Sequence, residues 1–470
     1  MLSQDSTLQS IDISGNLARL SPSTFQGQIG HFGFIRKLNL SRVHRTSGPE
    51  PLVAPETMLA WRLEELHLSE TQVNEQTIDS IAAYLTSPMS NTLREVRLNQ
   101  CGLTGKDVAI FMHSMSRKAG EGRPLHLYVS ENRLEKDHNR LVEAVANGLT
   151  PTHLTMKMVE YKKEDHFREL VQALRKNTSL KYLDISKASL PYDASDETCE
   201  ALKMMFKDNQ TLEELDISGE YAHLEVAKFG IGLNHALTGL KNNTALKILR
   251  IEYQKLGLQG ASTLSSVLEE NTSLREIYCE NNDINLQGLT VLINGLAINQ
   301  TVLYLPHMER DRLESIQKVE RECQVMRADA AAASTKQTTV RRTFASVKTS
   351  KPAPAPPVSM SEQDVQAAIR LVHEKWDRQI SRLDQYLSRN LNILHGVRSP
   401  SGDEDDDNGP GTERPATATS LADILEKVQL TSTPTVEKGD PLSEVMFEKF
   451  GVDDGKESPA RSAKEKELHV

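Results

Sequence analysis

The sequence predicts an α/β horseshoe solenoid, with parallel strands inside and helices outside, followed by a long amphipathic helix and a disordered tail. Three observations carry this expectation. An apolar pattern recurs every 28 to 29 residues or so between Leu8 and Val302. The segments between recurrences carry apolar residues at helical spacing. Beyond Ala333 the composition turns to Ser, Thr, Lys, Pro and acidic residues.

The repeats follow the pattern L-x-x-L-x-L-x-x-N/C-x-L. Leu63, Leu66, Leu68 and Val73 fill its apolar slots. Leu93, Val96, Leu98 and Leu103 do so with Cys101 at the N/C position. Leu180, Leu183, Ile185 and Leu190 follow, then Leu246, Leu249, Ile251 and Leu256. Leu274, Ile277, Cys279 and Ile284 fit with Asn282 at the N position. Weaker matches start at Leu8, Ile35, Pro124, Pro151, Leu212 and Val302, making eleven starts in phase. The repeat at Pro151 is least regular, with Met156 and Tyr161 in apolar slots, and local distortion is expected there. A repeat of this length leaves room for a short strand, a loop, a helix and a return loop. Ile78, Ile81 and Leu85 sit at i, i+3, i+7, as do Phe167, Leu170 and Leu174, and Leu289, Leu292 and Leu296. Each set makes one apolar stripe facing the strands.

Asn-Thr-Ser/Ala-Leu or Asn-Gln-Thr-Leu precedes the strands at Leu180, Leu212, Leu246 and Leu274. Five N-x-S/T sequons result, at Asn177, Asn209, Asn242, Asn271 and Asn299. Their recurrence within the repeat marks helix-to-strand turns rather than glycan sites. The Asn is expected to end each helix in the left-handed conformation, which it tolerates.

The chain divides into a solenoid over 1–307, a capping helix over 308–333, a Pro-rich linker over 334–360, an amphipathic helix over 361–396 and a mostly disordered acidic tail over 397–470. The capping helix carries Leu313, Ile316 and Val319 at helical spacing. No comparable cap precedes Leu8, so a missing upstream portion or a frayed first repeat is expected. In the amphipathic helix Val365, Ile369, Val372, Trp376, Ile380, Leu383, Leu387, Leu391 and Leu394 alternate by three and four. Such a stripe must be buried somewhere. Self-association through Val372, Trp376, Ile380, Leu383, Leu387 and Leu391, which would give a homodimer, or docking back on the solenoid is the expectation; binding a partner's groove is the alternative. In the tail, Asp403–Asp407 form a solvated carboxylate run, and Leu421, Ile424, Leu425 and Val428 could fold on contact with a partner.

Composition excludes several functions. The 470 residues hold 55 Lys plus Arg against 65 Asp plus Glu, a net charge of −10, which disfavours nucleic-acid binding. No run of about 18 apolar residues occurs, so no membrane insertion is expected, and the start lacks signal-peptide character. Cys101, Cys199, Cys279 and Cys323 fit no zinc spacing and read as reduced thiols of a cytoplasmic protein. There is no P-loop, no H-E-x-x-H, no G-x-S-x-G and no dinucleotide fingerprint, so no enzyme activity and no cofactor are expected.

A horseshoe offers instead a wide concave surface. Period-two alternation sends slots four and six into the core and slots three, five and seven outward. Slot three then runs Lys37, Glu65, Glu95, His126, His153, Tyr182, Glu214 and Glu276. Slot five runs Asp12, Asn39, His67, Arg97, Tyr128, Thr155, Asp184, Asp216, Arg250 and Tyr278. His126, Tyr128, His153 and Tyr182 fall together over three neighbouring strands, and rigid aromatics make good contact sites. Glu131, Asp184, Glu214 and Asp216 nearby favour a basic protein partner.

Strand-plus-helix repeats of this length resemble leucine-rich repeats of the ribonuclease-inhibitor type. The Asn-Thr-Ser-Leu turns and the run Glu280-Asn281-Asn282-Asp283-Ile284-Asn285-Leu286-Gln287-Gly288 are similar to repeats of the tropomodulin and CARMIL group. That resemblance implies a role in actin regulation, with a dimer-forming helical segment and a Pro-rich tail after the horseshoe. The resemblance also implies a pleckstrin-like domain ahead of the repeats, which is the expected identity of the missing upstream part, and a capping-protein motif in the tail, which the residues after 396 do not match. Ran GTPase-activating proteins also combine about eleven such repeats with an acidic tail. They act by ordering the GTPase's own machinery, so a small GTPase is the alternative partner.

Overall fold

The computed structural model describes residues 7–16, 18–116, 120–220, 229–343 and 361–396. One ten-stranded parallel sheet runs through it in strict sequence order. The strands are β1 (Ser10–Asp12), β2 (Lys37–Asn39), β3 (Glu65–His67), β4 (Glu95–Arg97) and β5 (His126–Tyr128). They continue as β6 (His153–Thr155), β7 (Tyr182–Asp184), β8 (Glu214–Asp216), β9 (Ile248–Arg250) and β10 (Glu276–Tyr278). Every strand is three residues long and centred on slot four. The eleventh repeat adds a single bridge, Glu276 to Tyr304.

Helices separate the strands. They are α1 (Pro22–Ile29), α2 (Pro55–Leu59), α3 (Glu75–Thr86), α4 (Gly105–Met115) and α5 (His138–Ala146). Next come α6 (Glu164–Lys176), α7 (Asp196–Asp208), α8 (Gly230–Leu237), α9 (Gly257–Glu270) and α10 (Leu286–Ile298). Two long helices follow, α11 (Glu309–Thr343) and α12 (Glu362–Leu394). Paired strands stand about 4.8 Å apart and packed helices about 8 to 10 Å apart, so the stack curves with the sheet inside. This is a leucine-rich-repeat fold.

The core lies between the two layers. Slots four and six are closed from solvent, as Leu66 and Leu68 show on β3 and Leu183 and Ile185 on β7. The helical stripes meet them: Ile81 and Leu85, Phe167 and Leu170, Leu289 and Leu292 are all buried. Helix starts are set by local chemistry. Asn74 caps α3 by accepting from Thr77 N–H, and Thr104 and Asp107 form a reciprocal capping box on α4. The Pro151 repeat shows no distortion at its strand. β6 pairs in register with β5 and β7, and Met156 and Tyr161 are buried in the slots. Both side chains simply fill the volume that a leucine fills elsewhere.

The Asn turns differ from expectation in backbone and not in role. Asn177, Asn209, Asn271 and Asn299 are extended, with φ between −67° and −76°. The side chain does the capping. Asn271 Oδ1 accepts from Ser273 N–H at 2.9 Å and Leu274 N–H at 2.8 Å. Its Nδ2 donates back to Leu240 O at 2.7 Å and Asn243 O at 3.0 Å in the preceding repeat. Asn209, Asn243 and Asn299 repeat the arrangement, so a buried amide ladder runs up the stack. Asn242 is one residue out of this phase and exposed; the neighbouring Asn243 takes the ladder position.

The C-terminal end is closed by two helices. α11 runs ten residues past the expected end at 333, into the segment read as linker. The run Ala328-Asp329-Ala330-Ala331-Ala332-Ala333 favours helix, and the first proline comes only at Pro352. Leu313, read as part of the capping stripe, is 55% exposed, while Val319 is buried. Asp311 does the local capping: its carboxylate accepts from Asn281, Asn282 and Ile284 N–H at 2.9 to 3.1 Å.

The stripe of α12 is spent within the chain. Val372, Trp376 and Leu383 are fully buried, and Ile380 and Leu387 pack partly buried against the core. Trp376 Nε1–H donates to His307 O at 3.4 Å. Arg389 donates to Leu296 O and Ala297 O, and Asn390 Nδ2 donates to Val302 O at 2.8 Å. These are the end groups of α10 and the last repeat. Back-docking therefore replaces self-association for this stripe; of the six residues assigned to a dimer, only Leu391 is exposed, at 45%. The acidic run, the Leu421–Val428 stripe and most of the Pro-rich segment lie outside the described residues.

Candidate functional site

β5, β6 and β7 carry their slot-three side chains in register, His126 beside His153 and His153 beside Tyr182. Because the strands are parallel and only three residues long, the rings stand side by side on one wall. His126 stacks on Tyr128 with ring centres 3.9 Å apart. Tyr182 meets His126 edge-on at 5.1 Å and stacks on His153 at 5.6 Å. The four rings expected to meet do so and form one half-buried shelf. Arg97, on the neighbouring strand, lies 4.8 Å over the Tyr128 ring.

Burial shifts both imidazoles of the shelf toward the neutral form. It pushes the pKa of His126 down to about 4 and that of His153 downward as well. The ring of His126 is fixed by a 2.8 Å hydrogen bond between Nε2 and Thr155 Oγ1, and Thr155 is itself buried. His153 Nδ1 is held by Thr152 Oγ1 at 2.9 Å. Burial pushes the Tyr182 phenol up to about 12.

The acids split into two kinds. Asp184 is 1% exposed, and its oxygens are occupied by Ser186 N–H and Oγ and by the Lys157 ammonium at 2.7 Å. It also accepts from the Tyr182 hydroxyl at 3.4 Å. Asp184 therefore holds the shelf in place and is not open to a partner, contrary to the sequence reading. Lys157 sits at slot seven of β6, a position where the sequence showed a charge but not its mate.

Glu214 and Asp216 on β8 have no cation within ion-pair distance among the described residues. Asp216 Oδ1 accepts from Ser218 N–H at 2.9 Å. Burial and the charge of Asp184 raise its pKa. Glu252, one repeat further at slot seven, is raised by burial and by Glu280 and Asp216. Sequence reasoning did not single it out. Glu131 is exposed in a left-handed loop position and accepts from Gln100 Nε2 at 2.6 Å.

A second ring pair closes the wall. Tyr278 and Tyr304 lie 4.6 Å apart, with Arg250 4.1 Å over Tyr278. Tyr304 was missed because the last repeat matches the pattern weakly. The four cysteines are buried and unpaired. Among the described residues no three His, Cys, Asp or Glu side chains are grouped to hold a metal ion, and no helix is long and apolar enough to cross a membrane.

No protein-family model matches the chain, and no curated protein matches it. Among solved structures it is similar to the actin-binding site 2 of leiomodin-1, at 20% identity and TM-score 0.27, over 37% of this chain and 92% of that one. The tropomodulin C-terminal domain of Caenorhabditis elegans is similar at 16% identity and TM-score 0.26, over 34% and 92%. An internalin of Listeria monocytogenes is similar at 16% identity and TM-score 0.33, over 64% and 80%.

Proposed function

We propose that the chain is a non-catalytic interaction scaffold that captures a basic, extended segment of a protein partner on its concave face. The carrying observation is the pairing of a rigid four-ring shelf with acids that have no cation within ion-pair distance among the described residues. Asp216 and Glu252 are partly desolvated in the free protein, so a lysine or arginine arriving there relieves a standing electrostatic cost, with Glu214 on the same strand adding a further carboxylate. The shelf offers apolar area at small entropic cost beside it. The finer reading is a cytoplasmic regulator of actin assembly. It rests on the repeats' resemblance to the CARMIL and tropomodulin group.

Affinity capture with the full chain from native cells, read by mass spectrometry, tests this against Tyr128→Ala/Tyr182→Ala. Actin-assembly proteins recovered by the parent and lost by the double variant support the reading. Undiminished capture by a folded double variant overturns the concave site. Recovery of Ran, with faster GTP hydrolysis on adding the chain, replaces the scaffold by a GTPase regulator.

A further inference from the structure

A cavity of about 690 Å³ lies on the edge of the solenoid where the chain leaves the first strands. It spans the first five repeats and is lined by Arg19, His44, Arg45, Glu70, Gln100 and Arg133, among others. Its charge is opposite to that of the whole chain, which carries −10.

Each arginine is set differently. Arg45 is pinned by carbonyls: Nε donates to Thr46 O at 3.3 Å, and Nη2 donates to Gly48 O at 2.8 Å and Glu50 O at 2.6 Å. Its remaining Nη1 is closed from solvent and has no acceptor. Arg19 and Arg133 are exposed, and neither guanidinium has a partner among the described residues. The carboxylate of Glu70 is already bound by Arg42 at 2.9 Å.

We propose that this edge cavity binds a multiply phosphorylated ring, free or as a lipid head group, held by Arg19, Arg45 and Arg133. Three guanidiniums around one cavity repel one another until an anion arrives. The planar fork of arginine matches phosphate oxygens in pairs. The volume lies in the range of small-molecule sites and exceeds what a single phosphate fills. A ring the size of a hexose with several phosphates spans it.

Isothermal titration of the full chain with inositol hexakisphosphate and with inorganic phosphate tests this. Saturable binding of the ring, much tighter than of inorganic phosphate, is expected. Arg19→Gln and Arg133→Gln, both at exposed positions, should each weaken it roughly 10- to 100-fold, the size of one charge-assisted hydrogen bond. Lys176→Gln, on the outer helix α6, removes the same charge and should leave it unchanged. Co-sedimentation with phosphatidylcholine vesicles, with and without phosphatidylinositol bisphosphate, distinguishes the sources. Arginine-dependent sedimentation only with the phosphorylated lipid assigns a head group; its absence beside tight ring binding assigns a soluble ligand. No saturable binding in either arm, or equal weakening by Lys176→Gln, overturns the site.

Discussion

Asp184 and Asp216 occupy the same slot of adjacent strands and act in opposite ways. Asp184 is paired with Lys157 and serves the scaffold; Asp216 has no cation within ion-pair distance among the described residues. Asp184→Asn should lower stability by about 1 to 3 kcal/mol in urea unfolding, because it leaves a hydrogen-bonded ion pair half made. Asp216→Asn should leave stability within about 0.5 kcal/mol of the parent and weaken partner capture. The shelf also gives a pH signature. With its folded pKa near 4, His126 stays neutral in the native state while the unfolded imidazole, near 6.5, takes a proton. The unfolded chain therefore binds more protons as pH falls from about 6.5 to about 4, and stability drops across that window. His153 adds to the drop; Asp216 and Glu252, with raised folded values, give slopes of opposite sign. His126→Phe should reduce the loss between pH 7 and pH 5 by about 1 kcal/mol, after discounting for a half-open ring, as read from unfolding at the two pH values. At this scale, alternation alone placed His126, Tyr128, His153 and Tyr182 together. It could not show that Asp184 is spent on Lys157, because that pairing crosses strands and depends on how far a lysine reaches.

The repeat elements were legible because each must hide the same face. Slots four and six, and one stripe per helix, carry enough regularity to set strand phase to the residue. What periodicity could not supply was the means of ending each helix. A left-handed Asn satisfies only its own turn, whereas the extended Asn found here serves its own turn and the preceding repeat together. Asn271→Ala strands the Ser273 and Leu274 N–H groups in a buried turn, while Leu240 O and Asn243 O keep Asn243 N–H and Ser273 Oγ as donors, so a loss of about 2 to 4 kcal/mol is expected in urea unfolding. Asn242→Ala, one residue out of phase and exposed, should cost less than about 0.5 kcal/mol. The same limit explains α12. Its stripe declared that it must be buried, but a stripe looks alike whether it faces a second copy or its own solenoid. The deciding groups are Arg389 and Asn390, polar residues beside the stripe that answer the free carbonyls at the end of α10 and the last repeat. The edge cavity was illegible for a related reason, since its arginines come from loops of three different repeats.

For the whole molecule, α12 turns an open-ended stack into a closed one. A solenoid is stabilised by each repeat covering the next, so an uncovered last repeat unfolds first. α12 covers that repeat with Trp376 and Leu383, both fully buried, and with hydrogen bonds to Leu296 O, Ala297 O and Val302 O. Leu383→Asp places a charge where none can be solvated, and the helix should leave its seat. The mass by light scattering should stay that of the parent, because the stripe is used within one chain; a fall in mass would return the stripe to a dimer contact. Hydrogen exchange should speed up in α10 and β10 and decline in effect toward β1 to β3, since coupling passes only between neighbours. Uniform acceleration along all ten strands would show a single cooperative unit instead of a stack that loosens from its uncovered end. Partner capture on β5 to β8, several repeats from that end, should persist in the variant at temperatures where the first strands stay protected.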